Sequence, residues 1–394
     1  MADRLRDEVL ADPTTAGGEN DPVGSGAGQP SDPALVPPGS ETSSPGRVLS
    51  FAQQRLWFLH TLDPKSTAYN TQTAWHIDGE LDLDHLDTAI NEIARRHEIL
   101  RTTFAEHDGI PVQIIHPAPI HHSTRHDLTH IHPDHHDHHI RDILRAELDT
   151  PFDLTTGPLL RSHVLQLSPT THVLCLTWHH IVLDGWSVGV FHTELDHLYT
   201  DLTHGRTPSL PPLTTQYADI AQRQRHHWQS DDAQQHLHEL AARLRDAPPV
   251  CHPPTDRPRP DTEPGPTAIH HALLPAGTLT TLATQTGSTP FGVLLAAFQL
   301  LIHRYTHQNP IVIGTPLTGR TDPDTEKLIG FFVNTLPLPV DINPHHTFRQ
   351  LLHHSRTVLM HAVTHQDIPF DKLVEHTRPT RDRHTPPLIQ TVFT

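Results

Sequence analysis

The stretch His179-His180-Ile181-Val182-Leu183-Asp184-Gly185 sets two adjacent histidines, an apolar run, an acid and a glycine between an apolar strand and an amphipathic helix. On the strand side, His172-Val173-Leu174-Cys175-Leu176-Thr177-Trp178 is almost continuously apolar, and His163-Val164-Leu165-Gln166-Leu167 can pair with it through a turn at Ser168-Pro169-Thr170. This reads as a buried hairpin. On the helix side, Val188, Phe191, Leu195, Leu198 and Leu202 recur at spacings of three and four, with Ser187 as the expected N-cap. Side chains alternate in direction as a strand ends, so only one of His179 and His180 can point into a cleft while the other faces the packed side. One histidine is a candidate for chemistry and the other for structure.

Working outward, 394 residues are enough for two lobes of ordinary domain size. The formal charge of −17 counts 39 histidines as neutral; with about a quarter of them protonated at pH 7 the net is about −8. That balance, with no basic patch interleaved with aromatics, argues against a nucleic-acid groove. The two cysteines, Cys175 and Cys251, make neither a disulfide framework nor a metal-ligand spacing, which fits a reducing cytoplasm. Met1 to Leu10 lacks an apolar signal core and no run approaches ~18 apolar residues, so neither export nor a membrane span is expected.

Residues 1–47, rich in Gly, Pro, Ser, Asp and Thr, are expected to be a disordered tail. Their first ten residues could form a short charged helix, either inert or a docking segment for another polypeptide. Order is expected from Val48, with a helix in Ser50 to Leu59, a strand in Tyr69 to Ile77 and a helix from Leu83 to His97. The charges of Arg96 to Arg101, set beside Ile99, Leu100 and Phe104, suggest a buried ion-pair cluster rather than a ligand site. His116 to His139 holds ten histidines. Metal binding through His135, His136, His138 and His139 is one reading; the stronger one makes them the wet face of a helix whose stripe is Ile140, Ile143 and Leu144. No metal is therefore assigned. A long polar helix is expected from Gln216 to Arg245, then a proline-dense strap over Asp246 to Pro266. Beyond it lie a strand over Ile269 to Leu274, a helix over Phe291 to Tyr305 launched by Ser288-Thr289-Pro290, a strand over Ile311 to Gly314, a helix over Thr347 to His365 and a terminal strand within Leu388 to Thr394. Thr315 to Arg320 and Gly330 to Pro337 read as site-building loops.

These residues also carry a family pattern. HHIVLDG (179–185) is similar to the HHxxxDG motif of the condensation domains of non-ribosomal peptide synthetases. In that family's order follow or precede it SFAQQRLWFL (50–59), RHEILRTTF (96–104), YADIA (217–221), GRTD (319–322) with GFFVNTLPL (330–338), HQDIPFDKLV (365–374) and RDRHTPPLIQ (381–390). The resemblance covers Val48 to Thr394. SFAQQRLWFL with DGWS resembles the subgroup that joins an L-configured donor to an L-configured acceptor. Ile389 stands where the family usually has an aromatic.

The resemblance implies an α/β fold with mixed sheets, made of two chloramphenicol-acetyltransferase-like lobes in a V: an N-terminal lobe over 48–212 and a C-terminal lobe over 213–394, the latter shorter than in family members. It implies that His180 is the catalytic residue. Asp184 would be a buried structural carboxylate paired with Arg320 or, second, Arg55. His179 would be structural, Gly185 would allow close approach of substrate, and Trp186, Ser187 and Asn334 would line a channel. The implied reaction is attack by the amine of a downstream carrier-bound aminoacyl thioester on an upstream carrier-bound thioester. The chain would bind no cofactor itself; 4'-phosphopantetheine arms of donor and acceptor peptidyl carrier domains would deliver substrates loaded with the help of an adenylation domain. A catalytically silent recruitment domain of the same fold and a stand-alone acyltransferase are the alternatives.

Overall fold

The computed structural model describes Leu5–Arg6 and residues 46–117, 121–248, 250–251, 253–254, 270–377 and 386–394. The chain forms two compact units. The first comprises the described residues up to His226 together with Asp322–Phe332; the second comprises His227–Thr321 and Val333–Thr394. The chain leaves the first unit after His226 and returns to it once.

In the first unit the elements are β1 (Leu5–Arg6), β2 (Arg47–Val48), α1 (Phe51–Leu62), β3 (Asn70–Asp78), α2 (Leu83–Arg96), β4 (Thr102–His107), β5 (Ile110–Ile115), β6 (Thr124–Asp127), α3 (Pro133–Leu148), β7 (Leu160–Ser168), β8 (Thr171–His179), α4 (Gly185–Thr203) and α5 (Tyr217–His227). The main sheet runs β1-β3-β8-β7-β6, antiparallel except for β6 on β7. β8 lies between β3 and β7 and is buried at nearly every position, which is why its sequence is apolar without alternation. β2, β5 and β4 form a second small sheet. α1 starts at a capping box in which Ser50 and Gln53 bond each other's backbone. α2 turns Leu86, Ala89, Ile90 and Ile93 inward, all fully buried, and packs on α4.

The second unit holds α6 (Asp231–Leu244), α7 (Ala276–Thr286), α8 (Pro290–Thr306), β9 (Ile311–Leu317), β10 (Asn334–Val340), α9 (Phe348–Thr364) and α10 (Phe370–Thr377). β9 and β10 form an antiparallel pair. Their Ile311, Ile313, Leu336 and Leu338 share a core with Leu237 and Leu240 of α6, Leu295 and Ile302 of α8, and Val358 of α9. No single described helix is long and apolar enough to cross a membrane.

Several sequence expectations change. The long helix from Gln216 is two helices, because Ser230 accepts a hydrogen bond from Ala233 N and Asp231 and Asp232 occupy a fresh first turn. Residues 270–274 are not a strand: Leu273 and Leu274 are exposed and pair with nothing in a ladder. α7 escaped the reading because its packed face is small, Leu279, Leu282 and Ala283, and threonines dilute the apolar contrast of the rest. Leu5–Arg6 is extended along Ile77 and His76, not helical. The end of the chain makes one bridge, Val392 to Gly314, not a full strand. The other expectations for residues 1–45, most of the strap over 246–266 and the first half of RDRHTPPLIQ lie outside the described residues.

The buried face of α2 gives a direct test. Ile90→Ala should lower the unfolding free energy by ~2–5 kcal/mol, read from the midpoint of denaturant unfolding, since Ile90 is 0% exposed.

Candidate active site

β8 brings the histidine pair to the end of the central strand, and the backbone is pinned on both sides. His179 N donates to Leu159 O at 3.1 Å and His180 N to Tyr69 O at 2.8 Å. Past the strand the chain tightens through bonds from Val182 N to His179 O and from Leu183 N to His180 O.

The two rings then part company, as the alternation predicts. His179 is buried, with Tyr69 and Phe152 rings 6.2 and 6.3 Å away, and its Nδ1 accepts from Ile181 N at 3.1 Å. Burial, then the positive potential of His180 and His60, pushes its pKa down to about 3. It is a neutral wedge under the turn. His180 is half-buried, with the Phe331 ring 4.9 Å away. Its Nδ1 lies 2.9 Å from Leu183 O. A carbonyl oxygen only accepts, so Nδ1 carries the proton, and the lone pair of the neutral ring sits on Nε2. Leu183 O is itself fixed by Trp178 Nε1–H at 3.2 Å. The Gln53 amide reaches another carbonyl of the turn, Ile181 O, at 3.4 Å.

Asp184 is 2% exposed and is the true N-cap of α4; Ser187, expected in that place, lies in the first turn. Asp184 Oδ1 accepts from Ser187 N at 2.9 Å and Ser187 Oγ at 2.7 Å, while Oδ2 accepts from Phe332 N at 2.9 Å. Ser187 Oγ in turn accepts from Gly330 N at 3.1 Å. The carboxylate thus stitches the turn to the returning segment Asp322–Phe332.

Two residues outside that segment, Tyr217 and His97, fasten it, and sequence reasoning assigned neither a role at the site. Tyr217 Oη donates to Phe331 O at 2.5 Å. Gly330 lies against the same tyrosine so closely that a Cβ there would come within 2.1 Å of Tyr217 Cδ2. His97 Nδ1 accepts from Ile329 N at 3.3 Å, which leaves Nε2–H to donate to Glu194 Oε2 at 2.9 Å. Arg96 Nε bonds the other oxygen of Glu194 at 2.9 Å, so the RHE stretch forms the expected buried ion-pair cluster. The signal for both was motif membership: YADIA and RHEILRTTF.

Trp186 is exposed, and its Nε1 donates to Glu326 O at 3.0 Å. Gly185 has no protein atom within 4 Å of where a Cβ would stand, so the fold itself does not demand a glycine there. Arg55 lies in α1. Arg320 follows β9 in the second unit. In that unit Asn334 spends its amide on backbone: Nδ2 donates to Gln366 O and Ile368 O, and Oδ1 accepts from Phe370 N. Among the described residues, His135, His136, His138 and His139 do not bring three ligand atoms together; Glu239, His361 and His365 do.

Asp184→Asn should destabilise by ~1–3 kcal/mol in thermal or denaturant unfolding. No orientation of an amide can accept from both the Ser187 pair and Phe332 N. For His179 the linkage has a definite sign. The unfolded histidine takes up its proton near pH 6.5 and the folded one only near 3, so stability is full above 6.5 and falls on acidification. His179→Asn, whose Oδ1 can replace Nδ1 as acceptor for Ile181 N, removes that dependence. Wild type should lose roughly 2 kcal/mol relative to this variant between pH 7 and pH 5.

The condensation-domain family model matches residues 47–394. One of the linear gramicidin synthase proteins of Brevibacillus parabrevis is 44% identical over 348 residues, 88% of this chain and 4% of that protein. Phosphinothricin tripeptide synthetase PhsC of Streptomyces viridochromogenes is 37% identical, over 91% of this chain and 34% of that protein. The chain thus spans a small part of the curated relatives it matches. Among solved structures, the X-domain from teicoplanin biosynthesis superposes with a TM-score of 0.76 at 28% identity, over 89% of this chain and 78% of that one; it has been solved alone and in complex with OxyB. The first condensation domain of the calcium-dependent antibiotic synthetase superposes with a TM-score of 0.73 at 22% identity, over 85% of this chain and 78% of that one. With a matching family model across nearly all the described chain and the histidine turn built as above, the chain belongs to the condensation-domain family of non-ribosomal peptide synthesis.

Proposed function

We propose that this domain forms an amide bond between two carrier-bound substrates, with His180 as the catalytic residue. The observation that carries this reading is the pinned ring of His180, whose Nδ1–H is held by Leu183 O. Its Nε2 lone pair can take the hydrogen bond of an incoming amine. The amine nitrogen attacks the carbonyl carbon of the donor thioester, the carbon–sulfur bond breaks as the tetrahedral intermediate collapses, and the proton lost by nitrogen goes to the departing thiolate. Nε2 can relay that proton or orient the amine and the intermediate; an amine that is already neutral needs only the second. His179 and Asp184 hold the turn, and the open space above Gly185 admits substrate backbone. Trp186, which follows the turn and is exposed, is the proposed channel residue of this unit.

Both substrates would arrive on 4'-phosphopantetheine arms of donor and acceptor carrier domains, the acceptor loaded by an adenylation domain, in the cytoplasm. The domain needs no cofactor of its own for this chemistry. Likeness to the teicoplanin X-domain, solved with OxyB, favours a second reading as a recruitment domain; the intact histidine pair favours catalysis.

Single-turnover condensation between loaded donor and acceptor carriers tests the proposal. His180→Ala should slow product formation at least ~100-fold with unchanged thermal stability. A variant as fast as wild type would remove His180 from the mechanism, and no product from either protein would favour recruitment.

A further inference from the structure

We infer that Glu239, His361 and His365 form a site for one divalent transition-metal ion of the zinc class in the second unit. α6 carries His236 and Glu239 three residues apart; α9 carries His361, and His365 caps the same helix four residues on. One donor atom from each of Glu239, His361 and His365 lies within 4.8 Å of the other two. Tetrahedral zinc with bonds of about 2.0–2.2 Å needs donors roughly 3.3–3.6 Å apart. Glu239 Oε2 and His365 Nε2 are already 3.6 Å apart.

Two of the donors are also oriented. His365 Nδ1 donates to His361 O at 2.7 Å, which puts the lone pair of the neutral ring on Nε2, the atom facing the carboxylate. Gln235 Nε2 bonds Glu239 Oε1 at 2.9 Å, leaving Oε2 turned to the histidine. The rings of His361 and His365 stack at 4.1 Å, and the His236 ring stands 4.5 Å from His365. His236 Nδ1 lies 4.0 Å from Asp367 Oδ2. Arg243 is the opposing cation nearby, and it is exposed to solvent screening. Two imidazoles and a carboxylate suit zinc and its neighbours, not magnesium or calcium, which prefer all-oxygen shells. Because the ligands lie on α6 and α9, far apart in sequence, only the folded unit presents them, and the ion would clamp the two helices.

A chain with 39 histidines binds metals weakly in many places, so the test must separate this site from that background. The untagged full chain is stripped with chelator and titrated with Co2+, read by its ligand-field absorption, and with Zn2+, read by bound equivalents and the melting temperature. Glu239→Gln and His361→Gln, both on accessible side chains, are compared with a control carrying His135→Gln, His136→Gln, His138→Gln and His139→Gln. The expected result is one tight equivalent and a tetrahedral-type Co2+ spectrum in wild type and control, with Mg2+ unable to compete. Either single variant should bind about 10-fold or more weakly and lose the spectrum, while melting like wild type in chelator. Equal tight binding by wild type and both variants, or loss of the tight equivalent in the control alone, would overturn the site.

Discussion

The carboxylate of Asp184 is the constraint on which the first unit's site depends. It is buried, and it accepts hydrogen bonds from Ser187 N, Ser187 Oγ and Phe332 N. One oxygen fixes where α4 begins; the other fixes where the returning segment ends. A buried carboxylate without those donors would carry a desolvation cost of several kcal/mol. Turn, helix start and returning segment therefore hold together as one unit. Phe331, which packs on the His180 ring, is the residue just before the one this carboxylate grips.

That arrangement explains which parts of the site were legible in the sequence. The separation of His179 from His180 follows from the period-two geometry of a strand, and the buried face of α2 from its spacing of three and four. Both signals are local. The segment Asp322–Phe332 is different: its partners Asp184, Ser187, Tyr217 and His97 lie about a hundred residues or more away along the chain, and no periodicity links them. The sequence marked only its two ends, through the GRTD and GFFVNTLPL motifs, and read Gly330 to Pro337 as a site-building loop. Its membership in the first unit emerged with the fold.

Competition between neighbouring polar residues accounts for the smaller misreadings. Asp184 and Ser187 are both good capping residues, and propensity alone does not say which takes the position. The acid takes it because a carboxylate can bond Ser187 and Phe332 together, whereas a hydroxyl at Ser187 supplies one proton. In the same way Ser230 with two acids behind it starts a new helix inside what periodicity reads as one continuous polar helix. In the second unit the β9–β10 pair was half legible: the run from Ile311 read as a strand. Pro337 and Pro339 disguised its partner as a loop, although a strand with only one neighbour tolerates residues that lack an N–H.

The histidines around the turn show why composition says so little about function in this chain. His97, His179 and His180 have the same intrinsic chemistry, and backbone groups decide which ring nitrogen of each carries the proton. Ile329 N and Ile181 N each take the Nδ1 lone pair of His97 and His179. Leu183 O takes the Nδ1 proton of His180. Adjacent residues in the sequence thus hold opposite tautomers. The lone pair of His179 is spent inside the turn that it props, and the lone pair of His180 sits on the other ring nitrogen, Nε2. A glutamine could imitate one such pattern of donors and acceptors, but only an imidazole can anchor through one nitrogen and accept or return a proton at the other near neutral pH. The physical content of the double-histidine motif is therefore a division of labour enforced by two backbone hydrogen bonds of opposite sense.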